Sequence, residues 1–267
     1  MEPIYAAIKL PPAAARSNLQ SLMDASGSHT ANRKYYDSFS HRYERHRGRN
    51  DPGGYHELLD ELEAGFVRRF AESRDVLEVG CGTGLVLSRI ASFAREAKGV
   101  DLSPGMLEKA RERGLDVVEG SATQLPFGDL SFDVTCSFKV LAHIPDVERA
   151  LSEMARVTRT GGHVIAEFYN PFSIRGLVKR LAPPGAVAHD AREDQVFTRF
   201  DSPTRARALT PSGCEYVCSR GIRIVTPSAL AMRLPCIRQA LWLAETLLCD
   251  SPLSALGGFY VAAYRKH

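Results

Sequence analysis

Chemistry in this chain starts from the glycine cluster of E-V-G-C-G-T-G, an acid seventeen residues beyond it, and one histidine further on. Gly80, Gly82 and Gly84 are interrupted only by Cys81 and Thr83. Glycines at this density permit positive φ and let a ligand approach the backbone closely. A helix opening just behind them offers N–H groups with no partner of their own. Asp101 ends the next apolar run, where a carboxylate can accept both hydroxyl hydrogens of a ribose; in dinucleotide folds that acid lies about 20 residues on. The pattern is not G-x-G-x-x-G, because the third glycine comes one position early, and no Lys-Ser or Lys-Thr follows, so it is not a P-loop either. His143, in K-V-L-A-H-I-P-D, titrates in the range a general base needs. It has a second reading, as a residue that caps the following helix or bonds to backbone.

Regular elements must position these groups. Val76 to Val79 has the length and β-branched character of a buried parallel strand. The glycine turn and a helix bearing Leu85, Ile90 and Phe93 come next, then a second strand ending at Asp101. Ser103-Pro104 opens another helix, with Ser103 as its cap and Pro104 at the tolerated first position. Strands are expected at 116–119, 132–138, 163–168, 216–225 and 257–264. A helix through Ala150, Leu151, Met154 and Val157 is expected to stop at Thr160-Gly161-Gly162. Ahead of the first strand, Leu58, Leu59, Leu62, Phe66, Val67 and Phe70 mark an amphipathic helix over 55–71. Tyr36, Phe39 and Tyr43 give an aromatic face in a basic stretch. Beyond the fifth strand, 172–182 reads as a basic amphipathic helix, 196–200 as a short strand or lid edge, and 229–248 as a helical insert holding Trp242.

Four ordered motifs then carry a resemblance. V-L-E-V-G-C-G-T-G, G-V-D-L-S-P-G-M-L, L-P-F-G-D-L-S-F-D-V and R-V-T-R-T-G-G-H together resemble the class I S-adenosylmethionine-dependent methyltransferases, nearest the branch that methylates quinones, sterols and other small molecules. The resemblance covers roughly residues 35 to 170. It implies a Rossmann-like α/β fold with a seven-stranded, mostly parallel sheet and helices on both faces. An N-terminal helical lid and helical inserts after strands 5 and 6 would complete it. The cofactor implied is S-adenosylmethionine. Gly80, Cys81 and Gly82 would surround its methionine part, with Gly84 and Met106 in the same set and Glu78 at the floor. Asp101 would hold the ribose, Leu102 would pack by the adenine, Ser121 and Ala122 would meet the adenine edge, and Phe138 would offer its carbonyl. The family usually has G-D-A where this chain has Gly120-Ser121-Ala122, so a hydroxyl replaces a charged acceptor there. Tyr36 and Tyr43 are candidates to steer substrate from the lid. Glu167 and Tyr169 would line the opposite rim, and Lys139 would attract an acidic group.

Composition bounds the rest. The 267 residues are 44% hydrophobic and 24% charged with net charge +3, an ordinary globular balance too mild to argue for nucleic acid. The expected organisation is a mobile arm over 1–30 and a single methyltransferase domain over 31–267. Within it, 31–71 forms the lid and leading helix, 72–170 the cofactor core, 171–209 an insert, and 210–267 the last strands. No run of about 18 apolar residues is present. With neither a signal-peptide pattern nor a Cys framework, the chain reads as cytoplasmic. No metal site is expected, since Cys214 and Cys218 lack a second ligand pair. The expected reaction is methyl transfer to a small, fairly apolar acceptor, preferably at oxygen. C- or N-methylation of a small molecule, and modification of RNA or protein, are the alternatives.

Overall fold

The computed structural model describes residues 53–173 and 197–267, together with Asp37 and Tyr43. Tyr36, the arm over 1–30 and most of the helix expected at 172–182 lie outside those residues.

Helix α1 (Tyr55–Ala71) leads into β1 (Asp75–Val79). The chain then runs through α2 (Leu85–Ala91), β2 (Glu96–Asp101), α3 (Pro104–Glu112), β3 (Asp116–Glu119) and β4 (Phe132–Ser137). Next come α4 (Val147–Val157), β5 (Thr158–Tyr169), α5 (Pro203–Ala208), β6 (Cys214–Ile222), α6 (Pro235–Leu248) and β7 (Phe259–Lys266). The seven strands form one sheet in the order β3-β2-β1-β4-β5-β7-β6. The first five are parallel, and β7 lies antiparallel between β5 and β6. This is the mostly parallel, seven-stranded arrangement that the motifs imply.

Both faces are covered, which is why the strands read as near-continuous apolar runs. On one face Leu151 and Met154 of α4 and Ala206 of α5 pack on Val164, Phe168, Tyr260 and Tyr264. On the other, Leu58, Phe66 and Val67 of α1, with Val86 and Ile90 of α2, pack on Val76, Val134, Ile165 and Val261. The indole of Trp242 in α6 donates to the Gly53 carbonyl at 2.7 Å, fastening that helix to the start of α1. Ser103 caps α3 as expected, accepting from the Met106 amide at 3.2 Å, with Pro104 in the first turn.

Several boundaries differ from the sequence reading. Strand β5 begins at Thr158, directly after α4, and not at His163. Phe132 pairs with Thr158 but Val134 already pairs with His163, so residues 159–162 bulge out of the ladder around Gly161, whose φ is +78°. The T-G-G tripeptide thus kinks a strand and does not end a helix. The insert expected as one helix from 229 is broken: Ala231–Arg233 forms a 3₁₀ turn and α6 starts at Pro235. Proline has no N–H for a preceding turn, so it suits a helix start. Residues 197–200 form no strand. Strands β6 and β7 are each displaced by two residues from their expected starts.

Candidate cofactor and acceptor site

The C-terminal ends of β1, β2, β4 and β5 converge, the place where open α/β sheets bind ligands. Behind β1, the Gly80 and Cys81 amides both donate to the Val100 carbonyl, at 2.7 and 3.1 Å, which folds the glycine turn over β2. Gly80 and Gly82 have φ of +76° and +54°. A Cβ on Gly80 would lie 2.3 Å from Val140 Cγ2, whereas one on Gly82 would meet no atom of the described residues within 4 Å. The first glycine is therefore demanded by packing, and the second borders open space.

Asp101 is partly buried and structurally engaged. Its Oδ2 accepts from the Gly82 amide and its Oδ1 from the Ser103 amide, both at 2.9 Å. Burial pushes this carboxyl above its ordinary range, against the pull of the Ser103, Gly82 and Leu102 amides. Each oxygen keeps a further lone pair for a ligand hydroxyl. Besides the ribose role expected from the sequence, Asp101 thus has a structural one, holding the glycine turn to the start of α3. A residue it missed is Asp37, whose Oδ1 accepts from the Ser103 hydroxyl at 2.5 Å and the Gly105 amide at 3.2 Å. That ties helical Asp37 to the start of α3, beside Asp101, and Tyr43 is likewise helical.

Leu102 is half-buried and Met106 fully buried below the turn, while Gly84 Cβ space is filled by Leu115. Cys81 packs against Gly99, and burial lifts its thiol far above the ordinary range, so it is an apolar filler and not a nucleophile. Ser121 bonds to Thr123 Oγ1 at 2.9 Å and accepts from the Thr123 amide at 3.3 Å in a local turn, with Ala122 beside it. Phe138 is buried just past β4.

Beneath the glycine turn lies a buried charge cluster that the sequence reading did not assemble. Asp60 and Glu63 come from α1, Glu78 from β1, Glu167 from β5 and Lys139 from the end of β4; the four acids are at most 3% exposed. Lys139 Nζ sits 2.5 Å from Glu63 Oε1 and 3.4 Å from Asp60 Oδ1, and its own amide donates to Glu167 Oε1 at 3.1 Å. Lys139 has a φ of +59°, a conformation a non-glycine residue adopts only under such constraint. Burial, with Glu63 next, pushes both Glu78 and Glu167 well above the carboxylate range. Lys139 thus turns its Nζ to the acids of α1, and Glu167 is buried against the Lys139 amide.

Across the site, His143 closes a 3₁₀ turn over Leu141–His143 and its ring meets that of Tyr169 edge-on at 5.7 Å. Tyr169 in turn contacts the rings of Phe200 and Phe259 at 6.2 and 5.2 Å. His143 and an aromatic wall therefore share the ends of β4 and β5.

The arrangement fits S-adenosylmethionine. The space above Gly82 is what a backbone-hugging ligand needs, Asp101 retains acceptor capacity, and Glu78 Oε2 is buried with no hydrogen-bond partner among the described residues. Among the described residues, no group of three or more His, Cys, Asp and Glu side chains could hold a metal ion, and no helix is long and apolar enough to cross a membrane.

Residues 77–166 match the methyltransferase-domain family. Demethylmenaquinone methyltransferase of Mycobacterium sp. (strain KMS) is 44% identical over 98 residues, 36% of this chain and 42% of the relative. The protein of the same name from Corynebacterium glutamicum is 38% identical over 134 residues, covering 48% of this chain and 58% of that one. The chain therefore spans about half the length of these relatives. Among solved structures, a possible histamine N-methyltransferase from Thermotoga maritima superposes with a TM-score of 0.58 at 24% identity, over 87% of this chain and 98% of that one. Residues 77–166 thus resemble a methyltransferase domain, carried on an α/β fold shared with the Thermotoga maritima structure.

Proposed function

We propose that this chain transfers the methyl group of S-adenosylmethionine to a hydroxyl of a small, largely apolar aromatic acceptor of the quinol, phenol or polyketide type. The observation that carries the reading is the contact of His143 with Tyr169, whose ring in turn meets those of Phe200 and Phe259, at the strand ends beside the glycine turn. The cofactor, when bound, supplies a sulfonium methyl that is already a strong electrophile. The protein's share is to hold the acceptor in line, exclude water and remove a proton. The Tyr169 group offers flat apolar surface to an aromatic ring. His143 takes the hydroxyl proton, a contribution of about 10²- to 10⁴-fold for a placed general base. Asp101 and the turn at Gly82 hold the cofactor, and the buried Glu78, its carboxyl raised by burial, forms the floor.

A second reading is methylation at ring carbon. A phenolate is nucleophilic at oxygen and at the adjacent carbon, so the same proton removal serves both. The relatives named demethylmenaquinone methyltransferase favour a quinone-type acceptor for either. The test is a partition of label. Protein, methyl-labelled S-adenosylmethionine and a cell lysate are incubated, then split into organic, protein and nucleic-acid fractions. Organic-soluble label that disappears with Asp101→Asn supports the proposal, and fragmentation of the product separates oxygen from carbon. Label in the protein or nucleic-acid fraction refutes it.

A further inference from the structure

The segment 197–201 has no regular structure, yet it is bound at close intervals to the turn and strand that carry the acceptor side of the site. The Arg199 amide donates to the Ala142 carbonyl at 2.8 Å, and the Asp201 amide donates to the Tyr169 carbonyl at 2.9 Å. The strap therefore bridges from the His143 turn to the end of β5. A bidentate pair within it, Arg199 Nε to Asp201 Oδ2 at 2.8 Å and Nη2 to Oδ1 at 2.9 Å, braces the strap, and Asp201 is 5% exposed. Its far end enters α5, whose Ala206 is fully buried and whose backbone is held by the Tyr264 hydroxyl at 2.7 Å. At its near end, the Phe197 carbonyl lies 3.0 Å from His143 Nδ1 and the Thr198 hydroxyl 3.3 Å from the same nitrogen.

We infer that this strap is a positioning device for His143: the Phe197 carbonyl and Thr198 hold the hydrogen on Nδ1, so that Nε2 is the nitrogen that removes the acceptor's proton. A carbonyl oxygen can only accept, so a bond to it requires the hydrogen on Nδ1. The lone pair of the neutral ring then belongs to Nε2. When the acceptor's O–H bond breaks, its proton goes to Nε2 and its electron pair stays on oxygen, which uses that pair to bond the methyl carbon. Sulfur keeps the pair of the broken S–CH₃ bond and becomes a neutral thioether. The resulting imidazolium keeps its Nδ1–H on the Phe197 carbonyl, so no rearrangement is needed.

A carbonyl in this role differs from a carboxylate. It orients the ring without adding a full negative charge that would favour the imidazolium before substrate arrives. The charged groups of the strap, Arg199 and Asp201, are paired with each other, and from β5 the ring faces the neutral phenol of Tyr169. The tautomer assignment stands on contacts within the chain. The role in proton removal rests on the methyltransferase reading above.

The two are separable by experiment. The full-length chain, uniformly ¹⁵N-labelled at histidine, is observed by long-range ¹H–¹⁵N correlation without cofactor or acceptor, His143 being assigned by loss of its signals in His143→Gln. A protonated Nδ1 and an unprotonated Nε2 in the neutral ring are expected. A ring hydrogen on Nε2, or an averaged mixture, overturns the inference whatever the enzyme methylates. Asp201→Asn, which removes the brace, is expected to move His143 toward a mixture of tautomers. It should also lower kcat severalfold with cofactor affinity unchanged. A variant that keeps the parent tautomer and parent kcat refutes the role of the strap. If the expected tautomer is found in a protein that methylates no small molecule, the proposed reaction fails and the positioning of the ring stands.

Discussion

Replacing Gly82 by alanine separates the demands of the fold from those of the ligand. Its φ of +54° is left-handed, so an L-residue there costs about 1–2 kcal/mol. Among the described residues nothing lies within 4 Å of the added Cβ, so they impose no packing penalty. At Gly80 the same change adds a contact of 2.3 Å with Val140 Cγ2 to the backbone cost. Overpacking of that kind adds about 1–3 kcal/mol, for a total of about 2–5 kcal/mol. Val140 also leads into the His143 turn, so relief of the clash would disturb the base. For ligand binding the order reverses. If the open space over Gly82 is the cofactor cradle, a methyl intruding there costs the complex about 1–3 kcal/mol, a weakening of roughly 5- to 150-fold. Urea denaturation of both variants, with calorimetric titration of S-adenosylhomocysteine, checks the two effects. Gly82→Ala should stay folded and bind poorly. Parent-like affinity in a folded Gly82→Ala protein would remove the cofactor from that space and refute the site as drawn.

Other outcomes follow from the same geometry. Glu167 has its pKa raised by burial from an ordinary value of 4.5, so above that pH the unfolded chain releases a proton that the folded one keeps, and stability falls as pH rises toward the folded pKa. Glu167→Gln keeps an acceptor for the Lys139 amide and removes this titration; denaturation should show it gaining on the parent as pH rises above the ordinary carboxylate range, and an equal pH slope in both proteins would refute the raised carboxyl. Glu245 is fully buried in α6 and accepts from the amides of Ile224, Val225 and Thr226 and from the Thr226 hydroxyl. Glu245→Ala orphans all of them and should cost about 3 kcal/mol or more in urea unfolding; a loss under about 1 kcal/mol would contradict it. His143→Gln should lower kcat by about 10²- to 10⁴-fold with cofactor affinity intact, and parent-like turnover would assign the residue to structure.

The cofactor side of the fold was legible because each of its parts has a local signature. A short apolar run, a glycine turn, a Ser-Pro helix start and an acid at a strand end identify themselves within a few residues. The buried charge cluster has no such signature, since its members lie on three separate elements and a strand end. One trace existed: Glu63 is four residues from both Leu59 and Val67, squarely on the apolar stripe of α1. A carboxylate in that position needs a partner, and Lys139 is 76 residues away in sequence. Asp37 escaped notice for a similar reason, being one acid in a stretch whose aromatic and basic residues set the pattern. The strap over 197–201 carries no periodicity, and its grip on His143 runs through backbone atoms that every sequence supplies. The bulge at Gly161 was misread because T-G-G is equally a helix stop and a strand kink.

The position of β7 bears on how the sheet assembles. It is the last strand in chain order, yet it lies between β5 and β6, and residues 260–264 are fully buried. Until β7 is in place, β5 presents an unpaired apolar edge and β6 has no neighbour at all, a state open to strand pairing between molecules. The same strand also finishes a helix. Lys266 Nζ donates to the Ala155 and Thr158 carbonyls at 2.7 and 2.8 Å, where the helix α4 runs out. Synthesis on the ribosome therefore delivers the β1-to-β5 platform long before the strand that seals it. Chains halted ahead of Phe259 are expected to aggregate even though the whole glycine-turn site has already emerged.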